Sequence, residues 1–157
     1  RFKMAAGDIT VFNQFKVDLG NKLHDLDSDT WKVGFITSAV TPTAADAAPH
    51  WGGTGTTNFS TNQVTPGGNY ATGGPSLTTM GFTNSAGTVS WKADKISIAQ
   101  HASNPTNARW GILYNSTDAN KRAAAFIDFG SAINLTTGPF EFRFAGVDGN
   151  GTIATLA

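Results

Sequence analysis

The side chains able to do chemistry are few in this sequence, and they are scattered. Its three histidines, His24, His50 and His101, lie far apart, each among turn-forming neighbours. A hydrolase triad needs a serine nucleophile, a histidine base and an orienting carboxylate. Serine is common here, but no Gly-x-Ser-x-Gly elbow occurs. Glycoside cleavage needs two acids facing a cleft. Glu141 is the sole glutamate, and its candidate partners, Asp118 and Asp128, fall on or near neighbouring strands. Glu141 and Arg143 alternate with phenylalanines, which is the pattern of an ion pair on an outer strand face. No thiolate chemistry or disulfide is available, because the chain has no cysteine. The expectation is a protein with no catalytic residues.

Metal and phosphate sites fare no better. Asp25, Asp27 and Asp29 alternate as calcium ligands do, but an EF-hand loop needs glycine at its sixth position and glutamate at its twelfth. Counted from Asp25, those positions hold Thr30 and Ile36. An acidic turn is expected instead, with His24 beside it in solvent. Gly52–Gly55 reads Gly-Gly-Thr-Gly, without the Lys-Ser or Lys-Thr pair of a phosphate loop. No strand–glycine–helix context suggests a dinucleotide site either. Neither metal nor cofactor is expected.

The elements that would position any site are mostly strands. Trp110, Ile112 and Tyr114 alternate with Arg109, Gly111 and Leu113, and a second run follows over 123–129. Phe140, Phe142 and Phe144 then face away from Glu141 and Arg143. Such alternation marks strands with a buried face, and 108–144 reads as a central antiparallel meander. Trp31–Ser38 is a further strand, with Ile36 hinting that both faces are covered. Strands are also expected at 76–82, 89–93 and 96–98, with a turn at Asn84–Gly87. Asp148–Gly151 reads as a hairpin turn joining the phenylalanine strand to a last strand from Thr152. One helix is expected, over Asp8–Leu23, capped by Asp8 or Thr10, with Phe12, Phe15, Leu19 and Leu23 on its apolar face. A second, short helical turn could form over 44–48. The pattern is that of a mainly β chain, an antiparallel β-sandwich or jelly-roll-like barrel with one N-terminal helix.

At 157 residues the chain suits one domain. Residues 1–7 read as an N-terminal arm. Met4 is a possible start, leaving Arg1, Phe2 and Lys3 as a remnant or upstream extension. The opening residues lack the apolar stretch of a secretion signal, and no apolar run of about 18 residues suggests a membrane span. Residues 49–75 form a long Gly/Thr/Asn-rich loop. Loops of that length are unusual inside a domain unless they bind something or are disordered. Trp51, Phe59 and Tyr70 stand among its small residues. They are the candidate partner-binding residues, or they pin the loop to its own domain.

Eleven basic and eleven acidic residues give zero net charge, and only 14% of residues are charged. Nucleic-acid binding draws its affinity from a basic excess, so no nucleic-acid partner is expected. Low charge favours association, which suggests a surface that meets other protein.

The order of segments adds a resemblance. FNQFKVDLGNKLHDLDSDTWKVGFITS, NYATGGPSL, RWGILYN and AFIDFGSAINLTTGPFEFRF, followed by a final Gly-Thr-Ile element, resemble a group of small structural proteins of tailed bacteriophages. The resemblance runs from about residue 8 onward, and its motifs are not catalytic. It implies a virion component, most closely a capsid cement or decoration protein bound to the major capsid protein as a dimer or trimer. Such a protein is made in host cytoplasm and sits on the capsid surface. A tail or head-fibre component is the alternative within that class. A carbohydrate-binding β-module, stacking sugars on Trp51, Tyr70 and Trp91, is the alternative outside it. The loop at 49–75 departs from the group, and deleting 52–68 would be the natural test of its role.

Overall fold

The computed structural model describes residues 2–3, 9–146 and 149–156. Its elements in order are β1 (Phe2–Lys3), β2 (Ile9–Val11), α1 (Asn13–Gly20), β3 (Trp31–Ile36), β4 (Pro49–His50) and β5 (Thr57–Asn58). Then follow β6 (Gly81–Ser85), β7 (Thr88–Asp94), β8 (Ile96–Ile98), β9 (Ala108–Asn115), β10 (Ala123–Ile133), β11 (Phe140–Phe142) and β12 (Asn150–Leu156). The described residues are mainly β, with one α-helix and several antiparallel sheets, consistent with a β-sandwich-like fold.

The central sheet runs β2-β10-β9-β3, antiparallel throughout. Both of its faces are covered, since β3 and β9 are buried at nearly every position. On one face Trp31, Val33 and Phe35 of β3 meet two smaller sheets, β12-β7-β6 and β1-β11-β8. Trp31 packs edge-on against Trp91 of β7 at 4.9 Å, and Phe35 against Phe140 of β11 at 5.2 Å. On the other face Phe126 of β10 meets Phe12 at 5.3 Å, and Phe12 stacks on Phe59 of the long loop at 5.7 Å. Edge-to-face and offset rings of this kind add about 0.5–1.5 kcal/mol each beyond area burial. The buried side chains form one contiguous cluster.

Several boundaries differ from the sequence expectation. The helix starts at Asn13, not near Asp8, because Ile9–Val11 are held extended by pairing with β10. Phe12 is the N-cap and no side chain caps it; Thr10 lies in β2, and Asp8 is outside the described residues. The helix ends at Gly20, which leaves Leu23 beyond it and 39% exposed. Residues 44–45 make a turn and no helix. The strand expected at 76–82 begins only at Gly81, because 76–77 are drawn to β3: Leu77 N–H donates to Trp31 O at 2.8 Å.

The meander holds for β9 and β10 only. β11 leaves that sheet to pair with β8 and, in parallel, with β1. No β11–β12 hairpin forms, since β12 pairs with β7 instead. The chain changes sheets at the short turn Phe144–Gly146, where Ala145 sits at φ 50°; residues 147–148 lie outside the described set. Of the arm at 1–7, residues 2–3 pair with β11 of their own chain, Phe2 opposite Phe140.

Candidate functional site

The long loop is ordered, and it wraps the free edge of β3. Val64 N–H donates to Phe35 O at 3.0 Å, and Thr37 N–H to Asn62 O at 3.0 Å. Further along, Val33 N–H donates to Pro75 O at 3.0 Å. These bonds satisfy backbone groups that a bare edge strand would leave open.

Its three aromatic rings lock it in place from both sides of the sheet. Trp51 is 4% exposed and stacks on Tyr114 at 5.2 Å, the planes 9° apart. Its six-membered ring fills the space that a side chain at Gly34 would need. Phe59 is 0% exposed, in the cluster with Phe12. Tyr70 lies over the opposite face, 1% exposed, stacked on Phe35 at 5.1 Å. Its hydroxyl accepts the Phe35 N–H at 2.6 Å, and burial pushes its pKa well above the usual phenol range. Gly74, at φ +78°, brings the returning chain so close to β3 that a Cβ would stand 1.9 Å from Val33 O.

Trp51, Phe59 and Tyr70 therefore pin the loop to its own domain and present no ring to a partner. Trp91 is also buried, at 2% exposure, so none of the three rings named for sugar stacking offers a platform. Deleting 52–68 would remove Phe59 and Val64 from the core, so the loop's role has to be tested by surface substitution. What it exposes is uncharged: threonines and glycines, among them Thr56, Thr61, Thr65 and Thr72, together with Pro66, Asn69 and Ala71. These are the residues that could meet a partner, held in fixed positions by the rings beneath.

The titratable groups gather elsewhere, behind the acidic turn. His24 is not in solvent: its side chain is 0% exposed, between Phe15 and Trp31, both 5.3 Å away. The turn before β3 and the end of β9 enclose it. Asn115, itself 0% exposed, donates to Asp29 at 2.5 Å and lies 3.1 Å from His24 Nδ1. With Asn115 donating there, the neutral ring carries its proton on Nε2, 3.9 Å from Asp18. Arg122 reaches both Asp118, at 2.8 Å, and Asp18, at 4.0 Å. Sequence reading missed this cluster because its members come from α1, two turns and β9. Asp25 caps its own turn, accepting from Asp27 and Ser28 N–H at 3.1 Å each. Among the described residues no three His, Asp or Glu side chains gather as metal ligands do.

Burial lowers the His24 pKa from its usual 6.5, outweighing the nearby Asp18, Asp118 and Asp29 carboxylates. His50, 3% exposed, is lowered for the same reason. A base whose folded pKa is depressed binds more protons when unfolded, so stability is full above pH 6.5 and falls as pH drops below it. Thermal melts from pH 7.5 to 5.5 should show a declining Tm, and His24→Gln should flatten the decline. An equal slope in that variant would exclude His24 as the source.

Further ion pairs lie outside this cluster. Glu141 contacts Lys95 at 3.2 Å and Arg143 at 3.1 Å. Arg109 pairs with Asp128 and lies over the Trp110 ring at 3.9 Å. Among the described residues no helix is long and apolar enough to cross a membrane. Comparison of the chain with family models, with characterised proteins and with solved structures finds no match.

Proposed function

We propose that this chain is a non-enzymatic structural protein of a tailed-bacteriophage virion, most closely a capsid cement or decoration protein. Its partner on the capsid surface is the major capsid protein, and it sits there as a small homo-oligomer, a dimer or trimer, after synthesis in host cytoplasm. It uses no cofactor, nucleic acid or membrane. The resemblance of its segment order to phage structural proteins motivates the reading.

The observation that carries it furthest is the loop at 49–75. Three buried rings and a run of backbone bonds hold an uncharged, threonine- and glycine-rich stretch of surface in place. A cement protein has to bridge neighbouring subunits through many modest contacts without itself deforming. A preorganised surface lowers the entropy lost in docking, and small residues allow close approach.

Thr65 and Thr72 are exposed on the loop. Thr65→Arg and Thr72→Arg should leave the melting profile intact and weaken co-sedimentation with shells assembled without the protein by about tenfold or more, the equivalent of about 1.4 kcal/mol. Unchanged binding by both variants would take this part of the loop out of the contact. Absence of binding by the parent protein to any shell would turn the reading to a tail or fibre component.

A further inference from the structure

Among the described residues β6 pairs with β7 alone, at the edge of its sheet. Phe82, Thr83, Asn84 and Ser85 are all exposed. Ser85 and Thr88 flank a two-residue turn, Ala86–Gly87, with φ of 50° and 84°. In such a hairpin the flanking pair exchanges hydrogen bonds, and bonded and unbonded pairs alternate from there. Ser85, Thr83 and Gly81 thus bond to β7, while Phe82 and Asn84 turn their N–H and C=O outward. Natural edges are guarded by charge, proline or a bulge. Gly-Phe-Thr-Asn-Ser has no charge and no proline, and its register with β7 is unbroken.

We propose that two copies of this chain pair through β6, edge to edge and antiparallel, about a two-fold axis at Thr83. This stands on the edge itself and holds whether or not the capsid reading does. Centred on Thr83, the pairing sets Phe82 of each copy against Asn84 of the other, and each such pair exchanges two backbone hydrogen bonds. A strand that matches itself in this way suits an isologous two-fold contact. Phe82 is 41% exposed and borders one groove with Leu19, Leu23 and Leu26. Opposite Trp91, it shares that residue's face. Pairing brings the second Phe82 diagonally across on this face, within aromatic reach, and covers apolar surface that a lone chain leaves wet. With zero net charge the copies do not repel.

Thr83 faces its own copy across the axis, so a charge swap tests the geometry. Sedimentation velocity of the full chain should show a concentration-dependent dimer. Thr83→Lys and Thr83→Glu each place like charges opposite one another and should weaken association roughly five-fold or more. Both change an exposed side chain and should keep the monomer folded. An equimolar mixture of the two should recover the dimer. A monomeric parent, a trimer, variants that dimerise like the parent, or a mixture that stays monomeric would each overturn the proposal. No shell enters the experiment, so its failure is separate from failure of the capsid reading.

Discussion

Replacing Phe59 by alanine should lower the free energy of unfolding by about 3–5 kcal/mol, the usual cost of emptying a buried aromatic site. The ring comes from the middle of the long loop, yet it is 0% exposed and stacks on Phe12, which in turn packs against Phe126 of the central sheet. Removing it takes a contact from both the loop and the segment that starts the helix. A domain of ordinary stability has only about 5–15 kcal/mol to lose, so the variant should stand near the edge of folding. Urea denaturation followed by circular dichroism measures the loss directly. A loss below about 1 kcal/mol would mean that the loop is an appendage and not part of the core.

Gly34→Ala should be nearly as damaging, at about 3 kcal/mol, although it adds a single methyl group. That methyl would lie 2.3 Å from the Trp51 ring. The ring is held flat against Tyr114, so it has to leave its stack, and with it goes the start of the loop. Tryptophan emission should shift to the red as Trp51 meets water. The same change in a Trp51→Ala background should cost far less, because the colliding ring is gone. The expected coupling is about 1–3 kcal/mol. Additive losses would show that Gly34 is needed for some reason other than Trp51.

These two effects also mark where the sequence could be read and where it could not. Strands β3, β7, β9 and β10 were legible because each is long enough for its period-two pattern to stand out, and β3 was legible as a strand covered on both faces. Partner choice was not. The Phe140–Phe144 run looks like the third strand of a meander, but whether β11 joins β10 or β8 depends on which sheet its phenylalanines fill. The final hairpin failed for a related reason: a run of turn residues allows a reversal, and here it connects strands of different sheets. The helix start is not legible locally, because the capping signals at Asp8 and Thr10 carry no record of the strand pairing that holds Ile9–Val11 extended.

Of the candidate site, Trp51, Phe59 and Tyr70 stand out in the sequence as the loop's large rings, and the structure buries all three. Which way they face was beyond local sequence, since both a partner and the chain's own sheet would select large rings among small residues. The clue lay 17 residues upstream of Trp51, where Gly34 interrupts an otherwise bulky strand and leaves room for one ring. The burial of His24 was not legible at all. Nothing in His-Asp-Leu-Asp-Ser-Asp reveals that Phe15, Trp31 and Asn115 converge on it.

The measurement that bears most directly on the proposed role is cryo-EM of phage shells assembled without this protein and then mixed with it in purified form. The cement reading predicts ordered density at symmetry-related positions on the outer surface, with exposed threonines and glycines of 49–75 against the major capsid protein. Bare shells at saturating protein would contradict it.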